Sequence, residues 1–175
     1  NYLAERLGAT RIVLPELPVI PLGVNTKDFS VSNGAKQHAR AELGLYDDEL
    51  VVLYMGRLSF HGKAHPVAMY QSLSAAATKA AVKVTLVECG WHANEAIKDA
   101  FTHAAKLIAP NLKVVRLDGR DKSNRYRAYA SADIFCSFSD NIQETFGITP
   151  IEAMSAGLPV VVSDWDGYRD TVRDG

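Results

Sequence analysis

Five short runs of nearly unbroken apolar residues punctuate this chain, at positions 49–55, 83–88, 112–117, 134–138 and 160–162. Each is too short for a helix and rich in branched residues, so each predicts a strand. Between them the composition turns helical. His65 or Pro66 opens a helix to about residue 81, with Val67, Met69, Tyr70 and Leu73 as its inward face. Further helices are predicted over 93–108, stopped by Pro110, over 124–131 and over 149–155, with another beginning at 168–173. Upstream, residues 35–43 favour a helix that Gly44 ends. Strands apolar on both faces, alternating with helices, predict a parallel sheet covered on both sides. Right-handed crossovers make it a doubly wound α/β fold of three layers. Residues 1–29 read as irregular, with Pro15, Pro18 and Pro21 close together, short extended pieces at 9–14 and 17–20, and a turn at 22–25. The chain therefore divides into an entry or linker segment, 1–30, and a Rossmann-like domain, 31–175. No internal repeat is visible.

Open α/β sheets bind ligands at the carboxyl ends of their strands, where the strand order reverses. The loops expected there are 56–65, 90–92, 118–123, 139–149 and 163–167. The fourth leads into Glu144-Thr145-Phe146-Gly147-Ile148-Thr149-Pro150-Ile151-Glu152. Thr149 reads as an N-cap, Pro150 as the first helical residue and Glu152 as the third. Unpaired donors and partial positive charge at such a helix start suit a phosphate. The carboxylates of Glu144 and Glu152 only accept hydrogen bonds, which suits sugar hydroxyls. Phosphates beside hydroxyls describe a sugar nucleotide. Glu152 has a rival role, closing its own helix as half of a capping box. Gly147 either lets a ligand approach the backbone or merely makes a turn.

Gly56-Arg57-Leu58-Ser59-Phe60-His61-Gly62-Lys63 follows the first strand. It has neither the G-x-G-x-x-G dinucleotide fingerprint nor a Walker A spacing. It does deliver a planar cation, Arg57, and a point cation, Lys63, to the strand end, and a diphosphate needs both its charges met. Arg120, after Asp118-Gly119, either approaches a base or phosphate or faces solvent.

The chain has 175 residues, 47% of them hydrophobic, with a formal net charge of −1. That charge offers no bulk attraction to nucleic acid or an anionic membrane. Arg116, Arg120, Lys122, Arg125 and Arg127 read mostly as a solvated helix face. Cys89 and Cys136 end apolar runs and read as buried free thiols in a reducing compartment. No apolar run approaches the ~20 residues that cross a bilayer, and no signal-peptide pattern opens the chain. A cytoplasmic location is expected. The start without Met and the stop at Asp174-Gly175 suggest a piece of a longer protein. His61 and His65 lack partners at ligand spacing, so no metal site is expected.

These residues resemble the C-terminal, donor-binding domain of GT-B glycosyltransferases, most closely the retaining family 4 group. The resemblance rests on Gly56-Arg57-Leu58 with Lys63, on the Glu144-x7-Glu152 signature, and on Ala156-Gly157-Leu158-Pro159-Val160-Val161. Residues 19–25 resemble the entry from the interdomain linker, and residues 170–175 the segment after the fifth strand. The resemblance implies that Arg57 and Lys63 neutralise the donor diphosphate. It implies that Glu144 contacts the donor sugar near the reacting carbon and that Glu152 holds the ribose. The backbone of Phe146, Gly147, Ile148 and Thr149 would bind sugar and phosphate oxygens, Gly56 would lie beside the diphosphate, and Gly119 and Arg120 would line the base site. The donor is then a nucleoside-diphosphate sugar, used without cofactor or metal. The family's N-terminal acceptor domain, with its catalytic histidine, has no counterpart here, so the chain alone is expected not to turn over. Peripheral membrane association is expected only of a full-length enzyme. A storage-glucan synthase or phosphorylase, and a non-catalytic sugar-nucleotide sensor, are the alternative readings. The phosphorylase lacks a motif for its pyridoxal phosphate lysine, and a dinucleotide oxidoreductase lacks its glycine fingerprint.

Overall fold

The computed structural model describes residues 2–174 except positions 9, 11–15, 17, 19, 21, 33 and 143. Five strands form one all-parallel sheet: β1 (Leu50–Met55), β2 (Val84–Gly90), β3 (Lys113–Asp118), β4 (Ile134–Ser137) and β5 (Val160–Val162). Their order is β3-β2-β1-β4-β5. The chain winds outward from β1 to β3, then returns across β1 to β4. The switch point is therefore the gap between the carboxyl ends of β1 and β4.

The helices are α1 (Tyr2–Leu7), α2 (Ala35–Glu42), α3 (Pro66–Ala80), α4 (Glu95–Ile108), α5 (Lys122–Ser131), α6 (Ile148–Ser155) and α7 (Gly167–Thr171), with a 3-10 turn at Thr26–Phe29. Alternation along the strands feeds two cores. Val52, Tyr54 and Leu86 meet Met69 and Tyr70 of α3 and Phe101 of α4. Val51, Leu53, Val87 and Phe135 meet Tyr129 of α5 and Ala153 of α6. This is the expected three-layer, doubly wound arrangement.

Local chemistry fixes the boundaries. The His65 Nδ1 accepts from the Val67 amide at 3.4 Å and Pro66 opens α3. Asn94 caps α4 through the Ile97 amide (2.9 Å), so that helix starts two residues later than expected. Asp121 caps α5 through the Ser123 amide (2.8 Å), which starts it two residues earlier. At the amino end of the sheet, Asp133 accepts from Lys36 (2.6 Å), Arg40 (2.6 Å) and the Val51 amide (2.7 Å). One carboxylate thereby ties α2 and β1 to the entry of β4.

Two expectations near the amino terminus need correction. Residues 2–7 and 26–29 are helical rather than irregular, and residues 22–25 form no turn. The extended pieces expected at 9–14 and 17–20 lie largely outside the described residues. The last helix is also shorter than expected, 167–171 rather than 168–173.

At the opposite edge, glycines let the strand ends converge. A Cβ on Gly90 would lie 1.8 Å from the Gly56 carbonyl oxygen, and one on Gly119 would lie 2.9 Å from the Gly90 Cα. The ladder runs on past the strands, with the Gly56 amide donating to Cys89 (3.1 Å) and the Gly119 amide to Gly90 (3.0 Å).

Candidate functional site

The loops after β1 and β4 flank the switch point, and side chains join them across it. The Lys63 Nζ lies 2.8 Å from the Glu144 Oε2. These two side chains are only 23% and 11% exposed, so the pair is largely withdrawn from water. A second bond runs from the side-chain amide of Asn141 to the His61 carbonyl. Arg57 folds over the same loop: its Nη2 would be 3.5 Å from a Cβ on Gly62. The Ser59 hydroxyl braces the loop by accepting from the Gly62 amide at 3.2 Å. Thus Arg57, Lys63 and Glu144 gather at one mouth.

Beneath them lies a floor that sequence reasoning missed. Tyr54 is the last residue but one of β1, and its hydroxyl donates to the Arg57 carbonyl at 3.2 Å. Tyr168, from α7, shares a 2.8 Å hydrogen bond with Ser137 at the end of β4. Burial pushes both phenols above their ordinary range; the Glu144 charge adds to the shift in each. Neither tyrosine stands out in the sequence: Tyr54 falls within the first apolar run and Tyr168 at the start of the last helix, and only the fold brings them together. The Ser139 hydroxyl is fully buried here with no partner among the described residues.

Helix α6 begins differently from expectation. Gly147, at φ 62°, precedes it in the left-handed region, and Ile148 is its first residue. Thr149 is not the N-cap. Its side chain instead lies close to the Tyr168 hydroxyl and influences it. Gly147 is required by α7: an added Cβ would sit 2.6 Å from the Tyr168 Cδ1. Gly167 packs as closely beneath Thr145, where a Cβ would be 2.5 Å from its carbonyl oxygen, and its amide donates to the Glu144 carbonyl at 3.2 Å. Helix α7 therefore clamps the loop 144–147 from below. Phe146 points outward, 61% exposed.

Glu152 makes no capping box either. Its Oε1 accepts from Arg125 (3.1 Å) and its Oε2 from the Tyr129 hydroxyl (2.7 Å), both on α5. A cavity of about 400 Å³ opens beside these partners, lined by Phe29, Lys122, Arg125 and Tyr126. The solvated-face reading of the arginines thus fails for three of them. Arg125 holds Glu152, Arg127 bonds Asn124 (2.8 Å), and Arg116 meets the buried Glu88 (2.7 Å). Burial raises the Glu88 carboxyl, while Arg116 opposes that rise and the Tyr70 hydroxyl, 2.5 Å away, donates to it.

Arg120 stands apart. It grips its neighbour Asp118 through Nε (2.9 Å) and Nη2 (2.7 Å), which holds that exposed carboxyl down at about 2. It borders a cavity of about 450 Å³ with Trp91, His92 and Arg116 at the ends of β2 and β3. Cys89 and Cys136 are buried and free. Among the described residues no helix is long and apolar enough to cross a membrane, and no group of three His, Cys, Asp or Glu side chains is placed to hold a metal.

Residues 35–175 match the family model described as glycosyl transferases group 1. Among curated proteins, the D-inositol 3-phosphate glycosyltransferase of Nocardia farcinica is 28% identical over 182 residues, covering 100% of this chain and 38% of that protein. The Mycolicibacterium gilvum protein of the same name is 31% identical over 91% of this chain and 34% of its own length. A Mycobacterium leprae phosphatidyl-myo-inositol mannosyltransferase is 48% identical over 56 residues, which are 14% of its length. The chain thus spans well under half of these relatives. Among solved structures, Anabaena HepE in complex with UDP and glucose superposes with a TM-score of 0.70 at 20% identity, over 87% of this chain and 39% of that one. The C-terminal domain of a group 1 glycosyl transferase from Francisella tularensis gives 0.63 at 15% identity, over 87% of this chain and 76% of that one.

Proposed function

Because the chain belongs to the group 1 glycosyl transferases, we propose that it is the donor-binding half of a retaining glycosyltransferase of the GT-B type. Its substrate is a nucleoside-diphosphate sugar, bound across the switch point without a metal. In this reading residues 1–30 lead into the domain and residues 31–175 form it. The acceptor is bound elsewhere in the parent enzyme, and this chain alone does not turn over.

The observation that carries the proposal is the meeting of Lys63 and Glu144, with Arg57 beside them, where the strand order reverses. Sugar transfer leaves positive charge on the reacting carbon and negative charge on the departing diphosphate. Arg57 and Lys63 lower the cost of the second, and the backbone amides at the start of α6 add donors to it. Glu144 accepts from the sugar's hydroxyls next to the reacting carbon. Glu152, oriented by Arg125 and Tyr129, keeps lone pairs for a ribose. Gly56, Gly119 and the loop carrying Arg120 line the nucleotide's other flank. Relatives named as glycosyltransferases, and a structural neighbour solved in complex with UDP and glucose, support the reading.

Calorimetric titration with UDP, GDP, ADP and their sugars tests it. One nucleotide class should bind saturably at one site. Lys63→Ala and Arg57→Ala should each weaken that binding by ~1.5–3 kcal/mol, the loss of a charge-assisted contact. Unchanged affinity in both folded variants would remove them from the site.

A further inference from the structure

The cation and the carboxylate proposed to serve opposite ends of the donor are partners of each other. Lys63 and Glu144 form a 2.8 Å ion pair, poorly exposed on both sides. A diphosphate that claims Lys63 must break or share that pair. What then happens to Glu144 depends on the rest of the ligand. A nucleotide sugar brings hydroxyls that donate to the freed carboxylate. A bare nucleoside diphosphate brings none and leaves Glu144 beside an anion.

Resting on the donor-site reading above, we propose that Glu144 is a specificity-determining residue: through its pair with Lys63 it sets the site against the bare nucleoside diphosphate and in favour of the nucleotide sugar. The same exchange favours product release. Once the sugar has left, the carboxylate loses its donors and Lys63 is drawn back to it.

The surroundings hold Glu144 to this task. Its main chain is fixed at both ends, the amide donating to the Asn141 carbonyl (2.9 Å) and the carbonyl accepting from Gly167 (3.2 Å). The loop cannot move as a unit without releasing α7. The backbone therefore keeps Glu144 facing Lys63, and the carboxylate changes partners by rotating its own side chain. The buried tyrosines below, Tyr54 and Tyr168, feel its charge and resist ionising. No second anion is available from them to replace it.

The test is a double-mutant cycle read by calorimetry, with UDP, GDP and ADP and the corresponding glucose nucleotides as probes. Glu144→Gln keeps the shape and removes the charge. It is expected to tighten the bare diphosphate about tenfold, the effect of freeing one half-buried cation. It is expected to weaken the sugar nucleotide or leave it unchanged, so the preference for the sugar form falls at least tenfold. In a Lys63→Ala background the same change should leave diphosphate affinity within about twofold, because the pair is already gone. A merely structural glutamate would not strengthen any ligand. Equal or weaker diphosphate binding in folded Glu144→Gln, with wild-type binding intact, would overturn the inference and leave the donor site standing. Equal tightening in both backgrounds would also overturn it, since general repulsion would then suffice. No binding of any probe to wild type or to Glu144→Gln would overturn the donor site and this inference together.

Discussion

Gly147 is the residue on which the site's geometry most depends. It combines a left-handed backbone at φ 62° with the contact face of Tyr168. Gly147→Ala adds a strained backbone and a methyl group 2.6 Å from an aromatic carbon. A loss of about 2–4 kcal/mol in urea unfolding is expected. A loss under ~0.5 kcal/mol would mean that α7 gives way easily. The two thiols offer a second test. Burial pushes Cys89 and Cys136 from 9.0 up to about 12. Neither should react with a thiol reagent at pH 8 until the protein unfolds. Folded thiols hold their protons longer than unfolded ones. Their contribution to stability is therefore complete below pH 9 and is lost as the pH climbs towards 12. Ready labelling of the native protein would contradict this burial.

Residue by residue, the chemistry of the site was legible where charge met a strand end. Arg57, Lys63 and Glu144 stand out in the sequence because they lie in the loops that follow the first and fourth apolar runs, and Glu152 because it sits in the first turn of the helix predicted after the second of these loops. What held them was not legible. Thr149 and Glu152 carry the spacing of a capping box, yet Thr149 turns to Tyr168 and Glu152 to Arg125 and Tyr129. Local spacing lost to partners from α5 and α7, which lie more than fifteen residues away in the chain.

Among the elements, the strands were the clearest because burial on both faces leaves only apolar runs. Helix starts depended on caps, and Asn94 and Asp121 shifted two of them by two residues. The amino-terminal helix Tyr2–Leu7 carries too little apolar periodicity to announce itself. The element at the sheet's other end, α2, is held by Asp133, which receives Lys36, Arg40 and the β1 backbone. Asp133→Ala leaves Arg40 among carbonyls without its carboxylate. Such a change should cost about 2–4 kcal/mol in denaturant unfolding. Binding of nucleotide should survive, because the contact lies at the edge opposite the site. Loss of binding in a stable, folded variant would tie the two edges together in a way these contacts do not explain.

At the scale of the whole molecule, the strand order β3-β2-β1-β4-β5 does what no single motif can. It sets loops 81 residues apart in the chain face to face, so that Lys63 meets Glu144. The most direct test is a crystal structure of this chain soaked with the nucleotide sugar it binds best. The account predicts the diphosphate against Arg57 and Lys63 at the switch point, the sugar against Glu144, and the Lys63–Glu144 pair opened or shared. Density for the nucleotide in another cavity, with that pair intact, would contradict it.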